Sequence, residues 1–162
     1  AALLALTWLP LGCASAPEST YAPPAEESVR PGVNDSFLDP ALDVETFVER
    51  FEGESREVFA QRFAIVEAMG LRRGAVVADV GSGTGAFLEP LAAAVGPKGK
   101  VLALDIAPPF VERLAERARN EGLPQVEARL CGEHSVDLPR ASIDAAFICD
   151  TEMWDEKTPA IN

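Results

Sequence analysis

The sequence predicts an α/β fold built on a parallel, doubly wound sheet. From Ala75 onward, short apolar and β-branched runs alternate with helix-periodic segments, and the first of those runs ends in a cluster of glycines. A length of 162 residues allows one domain, or one domain with a tail.

Taken in order, residues 1–12, AALLALTWLPLG, form an uncharged apolar run followed at once by Cys13. An apolar run, a small residue (Gly12) and then a cysteine resembles the end of a bacterial lipoprotein signal, whose cysteine bears a lipid. Pro10 stands where such motifs usually carry leucine, and no basic segment precedes the run. The other reading is an apolar helix docked on the core. Between Ala14 and Pro40 there are five prolines, five acids, one base and few large apolar residues. Such a stretch cannot offset its own ordering entropy, so most of 14–40 is expected to be an extended, disordered linker. Together, 1–13 and 14–40 would tether the domain at 41–162 to a membrane through a lipid on Cys13. That places the protein in the cell envelope, on the periplasmic side; without such a signal the expectation is cytoplasmic.

From Asp43 the pattern turns helical. Val44, Phe47, Val48 and Phe51 recur at i, i+3, i+4 and i+7, and Val58, Phe59, Phe63 and Val66 continue at similar spacing. Asp43 suits an N-cap, Gly53 a break between two helices and Gly70 a stop, giving an N-terminal helical cap over 43–69. The Rossmann-like part spans 75–151. Its predicted strands are Ala75–Val80, Lys100–Ile106, Gln125–Leu130 and Ile143–Cys149, with helices over Phe87–Val95 and Phe110–Asn120. Phe110, Leu114 and Ala118 share one face of the latter.

Composition removes several functions. The net charge is −12, from 26 acids against 14 bases, which repels phosphate backbones and argues against nucleic acid as a partner. No apolar run reaches the roughly 18 residues needed to span a bilayer as a helix. Three cysteines, one histidine and no Cys-x-x-Cys pair give no basis for a metal site. Nucleophilic Cys/His chemistry would need Cys131 and His134 together. In a 3-2-1-4 strand order Cys131 and Cys149 end strands about 14 Å apart at about 4.8 Å per strand. That is beyond the ~7 Å reach of a disulfide, so both are expected to be core thiols.

The chemistry concentrates in Asp79-Val80-Gly81-Ser82-Gly83-Thr84-Gly85-Ala86-Phe87, which leaves a predicted strand and opens a predicted helix. Glycines permit the tight turn and a close backbone approach, and the helix N-terminus presents free N–H groups and partial positive charge. Asp105, 24 residues after Gly81, ends the next strand, where a carboxylate can accept both hydroxyls of an adenosine ribose. The glycine spacing fits both Gly-x-Gly-x-Gly and the dinucleotide form Gly-x-Gly-x-x-Gly/Ala. Asp79 tips the balance: an acid there repels a pyrophosphate but suits the ammonium group of a methionyl tail.

The runs VVADVGSGTGAFLEPLA, VLALDI, LCGEHSVDLP and IDAAFICDT, in that order, resemble a class I S-adenosylmethionine-dependent methyltransferase of the small-molecule, ubiquinone/menaquinone-type branch. The resemblance covers about Asn34 to Thr151. It implies S-adenosyl-L-methionine as cofactor and a small-molecule methyl acceptor. Asp79, Gly81, Ser82, Gly83, Thr84 and Gly85 would line the methionyl and ribose side. Asp105 would hold the ribose hydroxyls and Ile106 would pack on the adenine, with Glu133 accepting from the adenine amino group and His134 beside it. Asp150 would face the methionine end and the acceptor; it is a candidate catalytic group by position alone, and a cofactor contact is its other reading. His134 reads as a packing contact rather than a base.

A full domain of that family has seven strands. Here the strand-like runs stop at the fourth, and the chain begins at Ala1 without methionine, so a fragment is expected, truncated within the Rossmann-like domain. Its fourth strand would be an open edge, leaving the polypeptide weakly stable and catalytically poor. Two rival functions stay open: an NAD(P)- or nucleotide-binding oxidoreductase, and a non-catalytic tethered cofactor-binding remnant.

Overall fold

The computed structural model describes residues 32–39, 41–53, 57–149 and 151; the lipoprotein-like segment with Cys13, the linker up to residue 31, and Asp150 lie outside the described residues. In chain order the elements are α1 (Val44–Phe51), α2 (Glu57–Ala60), α3 (Arg62–Ala68), β1 (Val76–Val80), α4 (Leu88–Val95), β2 (Lys100–Asp105), α5 (Pro108–Asn120), β3 (Val126–Leu130) and β4 (Ala145–Ile148).

Four strands form one parallel sheet, as the alternation of strands and helices predicts, in the order β3-β2-β1-β4. Register decides which side chains share a face. Val77 pairs with Val101 and Val101 with Val126, so this row points one way, and Ala78 and Leu102 point the other. On the first face the crossover helices α4 and α5 bury Leu88, Leu91, Val95, Phe110 and Leu114. Burying a side chain of this size contributes roughly 1.5–3 kcal/mol, so this layer holds the domain together. On the opposite face Ala78, Val80, Leu102 and Leu104 are covered by Ile106, just after β2, and by Cys131, Val136, Leu138 and Ile143, from the segment that follows β3. β4 closes the described sheet as an edge, with Phe147 buried and Ile148 42% exposed.

α5 begins two residues before the predicted Phe110, because Pro108 and Pro109 fit a first turn, where a missing N–H removes no helical bond. Asp43 caps α1 as expected, its carboxylate accepting from the N–H groups of Glu45 and Thr46. The cap region differs from two helices: after α1 the chain forms α2 and α3, parted at Gln61, and α3 ends at Ala68, two residues before Gly70 with its φ of +61°.

Within the stretch 14–40, most of which is read as linker, residues 32–39 and Phe37 in particular make ordered contacts. Residues 32–39 fold into turns held by bonds from the Asp35 N–H to the Gly32 carbonyl and from the Phe37 N–H to the Asn34 carbonyl. The Phe37 ring then packs 5.4 Å from Phe47 and 6.3 Å from Phe110. Composition averaged over 14–40 conceals this one aromatic anchor, whose partners lie on α1 and α5.

Candidate functional site

The turn between β1 and α4 is built from backbone conformations that favour glycine: Gly81, Gly83 and Gly85 have φ of +72°, +52° and +88°. The N–H groups of Gly81 and Ser82 both donate to the Leu104 carbonyl at 2.9 Å, which fastens the turn to β2. The Ser82 hydroxyl donates to the Asp79 carbonyl at 3.0 Å. Asp105, at the end of β2, accepts the Gly83 N–H on Oδ2 at 2.8 Å and the Ala107 N–H on Oδ1 at 2.9 Å. A Cβ at Gly81 would collide with the Thr151 side chain, whose hydroxyl donates to the carbonyls of Val80 and Cys149. At Gly83 the space is open, with the Phe51 ring 3.9 Å from where a Cβ would stand.

Above this turn lies a cleft of about 550 Å³, counting its open mouth, lined by Asp79, Gly81, Ser82, Gly83, Thr84, Ala86, Phe87 and Cys149 and roofed by Phe51, Val58 and Phe59. The roof comes from α1 and α2, so the helical cap covers the glycine turn. Cys149, expected as a core thiol, packs on the core and also reaches this cleft. Cys131 is buried, and burial first, then the charges of Asp105 and Asp137, push its thiol up to about 11.

Asp79 is the electrostatic focus. It is 3% exposed, and its Oδ2 has no hydrogen-bond partner among the described residues. Burial raises its carboxyl to about 7, opposed in part by a hydrogen bond with Ser82 and reinforced by the Asp105 charge. Leaving a buried carboxylate oxygen unmatched is costly, and a cationic ligand in the cleft removes that cost. Burial also raises Asp105, while the N–H groups of Ala107, Gly83 and Ile106 pull it back.

The structure gathers Asp79, Gly81, Ser82, Gly83 and Thr84 into one cleft and leaves Gly85, Asp105, Ile106, Glu133 and His134 outside its lining. Ile106 packs half-buried on the far sheet face. Glu133 and His134 are exposed on the turn bracketed by the Gly132–Ser135 bridge, and Glu133 accepts from the Asn34 amide at 3.2 Å. The Asp105–Gly83 bond links the two regions. Among the described residues there is no metal-holding cluster, and no helix is long and apolar enough to cross a membrane. Sequence reasoning did not single out Glu52 and Arg117, which pair beside the turn at 2.7 Å, or the Thr151 contact with Gly81. Nothing in local spacing marks them, because each partner comes from a different element.

Comparison with known proteins bears on this arrangement. Residues 77–161 match the family described as "Methyltransferase domain". The chain is 42% identical over 73 residues to nocamycin O-methyltransferase of Saccharothrix syringae, covering 45% of this chain and 26% of that protein. It is 38% identical over 78 residues to protein-L-isoaspartate O-methyltransferase of Ignicoccus hospitalis, covering 48% and 36%. Its fold matches the crystal structure of a SAM-dependent methyltransferase from Aquifex aeolicus with a TM-score of 0.59 and 31% identity, covering 65% of this chain and 56% of that one. The chain thus spans between 26% and 56% of the length of these relatives. With the glycine turn, the acid at the end of β2 and the strand order in agreement, the chain belongs to the methyltransferase domain family.

Proposed function

We propose that the protein is an S-adenosylmethionine-dependent methyltransferase acting on a small, largely apolar acceptor. The observation that carries this is Asp79, whose buried and unpartnered Oδ2 lines a cleft over three left-handed glycines. The donor set fits the cofactor. Asp79 would hold its ammonium group, and Asp105 keeps a lone pair on each oxygen for the ribose hydroxyls beyond the two N–H bonds it accepts. Gly81, Ser82, Gly83, Thr84 and Gly85 would follow the methionyl and ribose backbone, with Ile106, Glu133 and His134 toward the adenine. When bound, the cofactor supplies a methyl group activated on a sulfonium sulfur.

What the chain's own residues contribute is alignment and exclusion of water. Phe51, Val58, Phe59 and Phe87 give the cleft a mainly apolar wall. Asp79 and Cys149 are the titratable groups among its described lining residues, and Asp79 is committed to the cofactor. The aromatic roof of the cleft favours a small molecule with an apolar face. The relative from Saccharothrix syringae, named for nocamycin, points the same way. A dinucleotide is disfavoured, because its pyrophosphate would lie against Asp79 in a protein of net charge −12.

Titration of the purified chain with S-adenosylhomocysteine and, separately, NADH, by calorimetry, tests this reading. Saturable binding of the former alone is expected. Binding of NADH in its place would overturn the assignment.

A further inference from the structure

Arg117 sits on α5 where three elements meet. Its Nη1 donates to Glu52 at 2.7 Å and to the Thr84 carbonyl at 3.2 Å, and its Nε donates to Glu121 at 2.7 Å. The arginine side chain is 18% exposed and that of Glu52 13%. One turn earlier, Arg113 pairs with Glu45 at the start of α1, but Glu45 is 76% exposed. Solvent screens that outer pair, so it holds little, whereas the inner pair is withdrawn enough for the loss of either partner to matter. Glycine at 85 leaves the arginine its path: a Cβ there would stand 3.2 Å from Arg117 Cδ and 3.0 Å from Leu114. Glu52 follows Phe51 directly, and Phe51 roofs the cleft over Gly83.

Building on the methyltransferase reading, we propose that Arg117 is a positioning residue. It latches the end of α1 to the glycine turn, so that the Phe51 roof and the Thr84 backbone order as one unit around the cofactor. The role needs a guanidinium: a planar fork can serve a carboxylate, a carbonyl and a second carboxylate at fixed angles, and a lysine ammonium cannot hold that geometry. It also explains an acid at the C-cap of α1, where the helix dipole by itself favours a cation.

The test uses the full chain with Glu52→Gln, Arg117→Gln and the double variant. Calorimetry with S-adenosylhomocysteine is read beside amide hydrogen exchange. Glu52→Gln leaves Arg117 its bonds to Thr84 and Glu121, so folding is spared. The latch predicts affinity lower by about tenfold in Glu52→Gln. It also predicts faster exchange in α1 with β1 and β2 unchanged, and a double variant no weaker than Arg117→Gln alone. Unchanged affinity with unchanged α1 exchange in Glu52→Gln overturns the proposal, as does equal loss of protection in α1, β1 and β2. If the parent chain binds no S-adenosylhomocysteine, the cofactor assignment fails separately. Exchange in α1 then decides the latch: faster in Glu52→Gln sustains it, and unchanged refutes it.

Discussion

The Asp105 carboxylate accepts the Gly83 N–H at 2.8 Å, so the acid at the end of β2 also fixes the middle of the glycine turn. Its other oxygen takes the Ala107 N–H at the entrance to α5. One buried side chain thus shapes the cleft before any ligand arrives.

Asp105→Asn tests the double role. An amide keeps the size but accepts on one atom only, which leaves either Gly83 or Ala107 with an unmatched N–H. The cost is expected to be about 1–3 kcal/mol, read as a lower urea midpoint. Affinity for S-adenosylhomocysteine should fall as well. If the variant is less stable yet binds as tightly as the parent, Asp105 shapes the turn and does not touch the ribose.

If Asp79 holds the ligand's ammonium group as proposed, binding is expected to depend on pH. Its folded carboxyl titrates at about 7, above the roughly 3.9 of an unfolded aspartate. A raised acid favours the folded state in its protonated form. The stability it contributes is full below about pH 4 and is lost as pH rises to about 7. Three units correspond to at most about 4 kcal/mol. A cationic ligand needs the ionised form, so affinity for S-adenosylhomocysteine should rise between pH 5.5 and 7.5 (about tenfold per unit below the titration point) and then level off. Asp79→Asn should bind weakly at every pH and unfold at higher urea than the parent at pH 8. A pH-independent affinity in the parent would remove Asp79 from ligand recognition.

Much of this was legible in the sequence because it is local or periodic. The strands, their parallel pairing and the closeness of the glycine turn to Asp105 follow from alternating apolar runs and from one acid at the right strand end, whereas the order β3-β2-β1-β4 is the usual one of the fold the motifs resemble. The roof of the cleft was legible only as helical periodicity. That Phe51 and Phe59 overlie Gly83, rather than pack on the core, depends on how α1 docks on α5 through Phe47, Phe110 and two arginine–glutamate pairs. Phe37 was hidden for the same reason, since a proline-rich, acidic neighbourhood outweighs one aromatic in any window. Cys149 lies at a strand end, where burial on the core and exposure to a cleft look alike until the neighbouring turn is placed.

Two glycines of the turn should fail in different ways. Alanine at 83 pays for a left-handed backbone, about 1–2 kcal/mol, and meets little besides the Phe51 ring. Gly83→Ala should therefore fold and lose ligand affinity, its methyl group standing in the cleft. Gly81→Ala carries the same backbone strain and must also displace Thr151, which anchors the end of β4 to Val80. Its loss of stability should be the larger, and Thr151→Gly in the same chain should restore part of it. Equal unfolding midpoints for the two alanine variants would show that Thr151 yields without cost.

The two described cysteines should separate by reactivity. Cys131 is buried beside Asp105 and Asp137, and its thiol is held at about 11, so little reactive thiolate exists at pH 8. Cys149 is half-buried and opens on the cleft. In a Cys13→Ser background, iodoacetamide at pH 8 followed by peptide mapping should find Cys149 modified well before Cys131. Saturating S-adenosylhomocysteine should slow the reaction at Cys149, which lines the cleft that the ligand would fill. Modification of Cys149 at an undiminished rate, under conditions where calorimetry records binding, would place the ligand away from the β1–β4 side of the turn. The roof formed by Phe51 and Phe59 would then be packing rather than part of the site.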